Sequence, residues 1–244
     1  MAKWSFVFGI VSAVGILFGV FSYQRGDIFG FRFWSWHQKL TVTVQSPNGP
    51  ISSSAVAAAS WEMPPRWFKI GDSGGWHGAG KVRGEAISLE VSSGKYLFVL
   101  LDNYSANTAI WTFAEPTLNP EHPDSYKRTL DRLEDTREIR RLAPKQYPLL
   151  VTFVDVSNPA SVQLVDPSNL AGTFGPGYRL HSIALSITDE PVTDGNVESA
   201  LPWLKRIGQT RPTLIPNPPL YRKDAKNPDL QYLMPGSFST ELYR

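Results

Sequence analysis

Cysteine is absent from this chain. That excludes disulfides, thiolate catalysis and every zinc or iron–sulfur site built on thiolates. It leaves the compartment open, because a disulfide-free domain of this size folds in either redox environment. Histidine is scarce. His37, His77, His122 and His181 stand far apart without ligand spacing, so no metal site is expected. Charge is nearly balanced at +2, too small a surplus to argue for a nucleic-acid partner. No internal repeat is evident.

Apolar residues, by contrast, are plentiful at 42%, against 19% charged, so most of the 244 residues should fold around a core. They are concentrated first in WSFVFGIVSAVGILFGVFSY (4–23), which carries no charge and lies between Lys3 and Arg25. Twenty helical residues span about 30 Å, the thickness of a bilayer core. A cleaved signal peptide is the rival reading. Its apolar stretch should be shorter and end at small residues. Here Phe18, Phe21 and Tyr23 crowd the exit, which favours an uncleaved transmembrane helix over 4–24 behind a short tail, 1–3. Residues 25–37, with Phe29, Phe31, Phe33, Trp34 and Trp36, fit an aromatic interfacial linker. The count of basic residues points to a cytoplasmic domain, whereas the very short tail ahead of a signal-like segment points to export. A periplasmic or otherwise extracytoplasmic domain is the orientation adopted. Ser12, Gly15, Gly19 and Ser22 line one face of the span, a small-residue pattern through which helices pack in lipid.

The body of the chain reads as strands and turns. KLTVTVQS (39–46) alternates, PNGP (47–50) supplies a turn, and SSSAVAAASWE (52–62) returns. GKVRGEAISLEV (80–91) alternates imperfectly, and KYLFVLLD (95–102) has the continuous apolar run of a strand buried on both faces. HPDSYKRTLDRLEDTREIRRL (122–142) predicts a surface helix with a thin stripe of Tyr126, Leu130, Leu133 and Leu142. Strands follow at 147–156, 161–167 and 178–190, then a short helix at 196–207 around Pro202. From Gly208 the chain is proline-rich yet too apolar for a solvated tail, which predicts an arm over 208–244 draped across a surface.

Residues 71–81, GDSGGWHGAGK, hold two overlapping catalytic signatures. GDSGG surrounds the nucleophile of chymotrypsin-like proteases, but His37 is the sole histidine before Ser73 and Asp72 the sole aspartate between them. GWHGAGK mimics a phosphate loop, but Val82 stands where serine or threonine is needed, and a strand-like pattern follows in place of a helix. The expectation is a flexible glycine connection between strands, using Gly71, Gly74, Gly75, Gly78 and Gly80. Trp61, Trp67, Trp76 and His77 around it form a speculative ligand-binding region for glycan or peptide, with core anchoring as the plainer role for the tryptophans. The acidic pairs Asp189–Glu190 and Asp155…Asp166 read as surface turns.

WHQKLTVTVQSPNGPISSSAV, KVRGEAISLEV and SVQLVDPSNLAGTFGPGYRLHSIALSITDEPVT followed by LPWL resemble an uncharacterised family of bacterial membrane-anchored proteins, over most of residues 36–205. The resemblance implies a membrane segment followed by one β-rich domain, and no assigned activity. The fold expected is α+β: a transmembrane helix, then a mainly antiparallel domain over 38–207 with one or two helices, then the proline-rich arm. The function expected is a single-span anchored interaction or accessory protein without catalytic residues or cofactor, possessing a protein partner or a second copy of itself besides the bilayer. The alternatives are an envelope ligand-binding module and, less favoured, an envelope hydrolase using Ser73.

Overall fold

A computed structural model describes residues 27–28, 30–65, 78–114, 123–210, 213–224 and 227–242. The chain is α+β, with two antiparallel sheets and six helices among the described residues. The large sheet has the order β4-β3-β2-β10-β7, with the short β1 (Asp27–Ile28) folded back on β2. Its centre is the hairpin of β2 (Phe31–Ser46) and β3 (Gly49–Met63), in continuous register from Arg32↔Met63 to Ser46↔Gly49. β4 (Ala79–Arg83) flanks β3, and β10 (Arg179–Thr188) flanks β2. The small sheet has the order β5-β6-β8-β9, from Ile87–Ser92, Lys95–Val99, Leu150–Phe153 and Val162–Leu164.

The period-two pattern decides which face meets the core. On β2, Trp34, Trp36, Leu40, Val42 and Val44 point inward, joined by Ala55, Ala57, Ala59 and Trp61 of β3 and by Ile183, Leu185 and Ile187 of β10. They meet Ile87, Leu89, Val91, Leu97, Val99 and Leu150 of the small sheet, together with helices α1 (Ala106–Phe113) and α2 (Pro123–Leu133). Alanine is a weak strand former, yet it suits β3 because small side chains let the second sheet approach. Gly84 shows the same pressure: a Cβ there would lie 3.0 Å from the Cα of Ala57.

The aromatic stretch expected as an interfacial linker is largely the first half of β2. Trp34 and Trp36 are core residues, and Phe33 between them faces solvent at 45% exposure. The alternation that hid inside an aromatic-rich segment sets this split. GKVRGEAISLEV is two strands, not one. Val82 belongs to the large sheet, and Ile87, Leu89 and Val91 to the small one. The break in its alternation marks the crossover at Gly84–Glu85. The helix expected to 142 ends at Leu133. Asp135 and Thr136 close a turn on Arg132 and Leu133, and β7 (Ile139–Arg141) then pairs with β10 through Ala184↔Arg141. Covering the open edge of β10 outweighs the local helical preference of a sequence in which Glu134 and Glu138 repel. Residues 196–207 divide at Pro202 into α4 (Asn196–Ala200) and α5 (Leu204–Thr210), after the short α3 (Ala171–Phe174).

The second face of the small sheet forms its own core. Phe98, Val151, Phe153 and Val162 pack against Val197, Leu201, Trp203, Leu204 and Ile207, and against Leu214, Leu233, Phe238 and Leu242 of the proline-rich segment. Phe98 meets Phe153 and Phe238 edge-on at 5.6 and 5.8 Å. That segment, which also carries α6 (Pro228–Gln231), therefore lies over a surface and buries its apolar side chains there. Backbone bonds secure it: Ala86 N–H to Phe238 O at 2.7 Å, Thr240 N–H to Gly84 O at 2.9 Å and Leu101 N–H to Ser237 O at 2.9 Å. Among the described residues no helix is long and apolar enough to cross a membrane. The apolar run 4–24, with Ser12, Gly15, Gly19 and Ser22, lies outside the described residues.

Phe238 joins the last segment to the small sheet, so Phe238→Ala should lower stability by about 3–5 kcal/mol in urea unfolding followed by tryptophan fluorescence. A loss below about 1 kcal/mol, the size expected of a surface substitution, would mean the segment is peripheral.

Candidate functional site

The expected ligand-binding residues are only partly placed. Trp67, Trp76 and His77, with Ser73, lie outside the described residues. Trp61 sits on the inward face of β3, where its ring stacks on Tyr126 of α2 at 6.0 Å, and Tyr126 meets Trp111 of α1 edge-on at 6.0 Å. Its role is therefore the plainer one, a core anchor. The glycines beside it have a packing reason. A Cβ on Gly78 would fall 2.0 Å from Trp61 Nε1, and one on Gly80 would fall 2.7 Å from Trp61 Cε3 and 2.8 Å from Ala106 Cβ. Gly78 and Gly80 are thus close-approach positions under an indole; Gly71, Gly74 and Gly75 lie outside the described residues. Trp61 Nε1 is enclosed and has no hydrogen-bond partner among the described residues. A small cleft of about 250 Å³ beside it is lined by Phe33, Trp34, Lys81 and Glu134. Trp34 Nε1 donates to Asp131 at 2.9 Å, which ties α2 to the same end of the hairpin.

Asp155 and Asp166 serve their own turns, whereas Asp189 and Glu190 pair with Arg137 and Lys39. Asp155 accepts from Ser157 N–H and Oγ–H, and Asp166 from Ser168 N–H and Oγ–H, bonds that hold both carboxyls below their usual range. Glu190 accepts from Lys39 Nζ at 2.7 Å, which lowers its carboxyl, while its carbonyl lies 2.6 Å from His37 Nδ1. His181 Nε2 lies 3.2 Å from Arg141 and not near His37, since the two histidines occupy opposite ends of the β2–β10 pairing. His77 and His122 lie outside the described residues.

One cluster escaped the sequence altogether. Glu85 at the crossover, Asp194 and Glu198 bring carboxylate oxygens within 4.8 Å of one another. Glu85 is only 2% exposed and accepts the Asn196 N–H at 3.1 Å and the Val197 N–H at 3.3 Å, so it caps α4. Glu198 Oε2 is enclosed without a partner among the described residues. A polar cleft of about 390 Å³ opens beside Glu85, lined by Ser53, Ser54, Ser88, Tyr96 and Ser199. Burial pushes the Glu85 carboxyl above its ordinary value, the amides of Val197 and Asn196 oppose this, and the charges of Glu198 and Asp194 add to it. The available signal was slight: a glutamate at the one break in an alternating pattern, with its partners more than a hundred residues away.

No family model, curated protein or solved structure matches the chain.

Two measurements check this geometry. Gly80→Ala forces a methyl against Trp61 and Ala106 and should destabilise by about 1–3 kcal/mol, shifting tryptophan emission as well. An unchanged melting temperature would show that the close approach is not real. For Glu85, the folded state binds a proton more tightly than the unfolded state. Its contribution is therefore greatest below the ordinary value of 4.5 and is lost as pH rises through the raised one. The melting temperature should fall from pH 5 to pH 8, and Glu85→Gln, which stays neutral, should show a smaller fall and melt higher than wild type at pH 8. Parallel curves for the two proteins would count against the assignment.

Proposed function

We propose that the chain is a single-span, membrane-anchored interaction or accessory protein, such as a small subunit of a membrane assembly. Residues 4–24 serve as its anchor in the bilayer, and its folded domain stands on the extracytoplasmic side. Ser12, Gly15, Gly19 and Ser22 offer a packing face within the span. In this reading the chain performs no catalysis.

The observation that supports the reading best is the outer side of the C-terminal segment. Leu214, Leu233, Phe238 and Leu242 are buried inward, while Leu220, Tyr221 and Met234 stand 86%, 59% and 52% exposed. The Tyr232 hydroxyl donates to the Pro219 carbonyl, which ties Tyr232 to the residue before Leu220. Arg222 lies over the Tyr232 ring at 5.1 Å and pairs with Asp229 at 3.4 Å, so the patch has a charged rim. Apolar side chains held outward on a docked segment, with a polar surround, are what a protein partner covers.

Purification of the full-length protein in a mild detergent, with a photo-crosslinker at Tyr221, tests this. A discrete crosslinked species is expected, either a second copy or one partner at fixed ratio, and Leu220→Asp together with Met234→Asp should abolish it. A strictly monomeric protein without crosslinks would overturn the proposal.

A further inference from the structure

A cleft of about 530 Å³ opens beside α1, within the volume range of small-molecule sites. One wall is Trp111, a residue 43% exposed. Lys145, Gln146, Asn103, Ser105 and Asn107 line it as well. We propose that this cleft binds a saccharide, with the Trp111 indole as the platform for a pyranose ring and the side-chain amides of Asn103, Asn107 and Gln146 as partners for its hydroxyls.

Three features carry this. The platform is fixed before any ligand arrives. Tyr126 meets Trp111 edge-on at 78° and itself stacks on the buried Trp61, so the half-exposed indole is braced by two further rings. A rigid apolar plate of this kind loses little entropy on binding. The polar groups are of the matching kind. A sugar hydroxyl both donates and accepts, and a carboxamide does the same. Asn107 and Trp111 are four residues apart, one turn along the same helix face. Gln146 Oε1 already accepts from Ala143 N–H at 3.0 Å, which fixes the side chain and leaves its NH₂ group to donate. Asn103, also in the lining, takes the left-handed backbone conformation, φ 62°. Finally, the charge is sparse. Lys145 is the one charged side chain among the described lining residues, and none of those is a carboxylate. A phosphate-rich ligand calls for several cations, whereas a neutral or mildly acidic sugar calls for none or one.

The site is separate from the Trp61 cleft and from the C-terminal patch, so it stands whether or not the chain is anchored or has a protein partner. The test is isothermal calorimetry on the full-length protein in a detergent without a sugar head group, since glucosides and maltosides would compete. Maltohexaose, chitohexaose and hexagalacturonate are the probes, with adenosine as the stacking control. At least one hexasaccharide should bind with Kd below about 1 mM. Trp111→Ala should weaken that binding at least tenfold at unchanged melting temperature. Asn107→Ala, at an exposed position, should weaken it by a smaller factor and guards against a folding defect in the first variant. If hexagalacturonate binds best, Lys145→Ala should remove its advantage over the neutral probes. Absence of all three at about 10 mM would overturn the proposal. So would binding undiminished in Trp111→Ala, or binding of adenosine alone.

Discussion

The small sheet has apolar side chains on both faces, and everything around it follows from that. Leu97 and Val99 of β6 point to one side, and Phe98 between them points to the other. A sheet of this composition cannot leave either face in water, because each exposed aromatic or aliphatic side chain forfeits roughly 1.5–3 kcal/mol of burial. Two covers are therefore required. The large sheet, with its row of alanines, supplies one. The helices after β10 and the proline-rich segment supply the other, held by Phe238 and Trp203 around Phe153.

Chemistry gathers where these layers join. The crossover from β4 to β5 must pass between the sheets, and Glu85 lies there, capping α4 and bridged through its backbone to Ser239 of the last segment. Nearby Arg83 pairs with the buried Glu241 at 2.7 Å, so the same seam carries one compensated carboxylate and one crowded set of three. The aromatic brace from Trp61 to Trp111 forms where both helices α1 and α2 meet the hairpin end. The outward patch at Leu220, Tyr221 and Met234 is the back of the second cover.

Much of the fold was legible in the sequence because alternation is a strong local signal. The β2–β3 hairpin, the doubly buried β6 and the long β10 each read correctly from period and turn residues, and the α+β class followed. Where the reading failed, a long-range requirement overrode a local one. Residues 139–141 carry a helical pattern but complete the edge of β10. The alternation of β10 breaks between Leu180 and Ile183, where its pairing with β2 carries a bulge at Leu180/Ser182. The aromatic run before residue 38 resembled a membrane belt, since the period that sends Trp34 and Trp36 inward is masked when every position is large. The candidate clefts were less legible still. Glu85, Asp194 and Glu198 share no motif, and Trp111, with Asn103 and Lys145, is assembled only by a helix packing against a turn. For Trp61 the sequence offered a ligand platform and, more plainly, a core anchor; it is the buried brace, and Trp111 is the exposed face.

The most direct check is to end the chain at Thr210 and follow urea unfolding together with binding of a dye that lights up on apolar surface. If the proline-rich segment is the second cover of the small sheet, the shortened protein will lose its cooperative transition and bind the dye strongly in the absence of urea. A sharp transition at the wild-type midpoint, with no dye signal, would show that the small sheet does not need that cover.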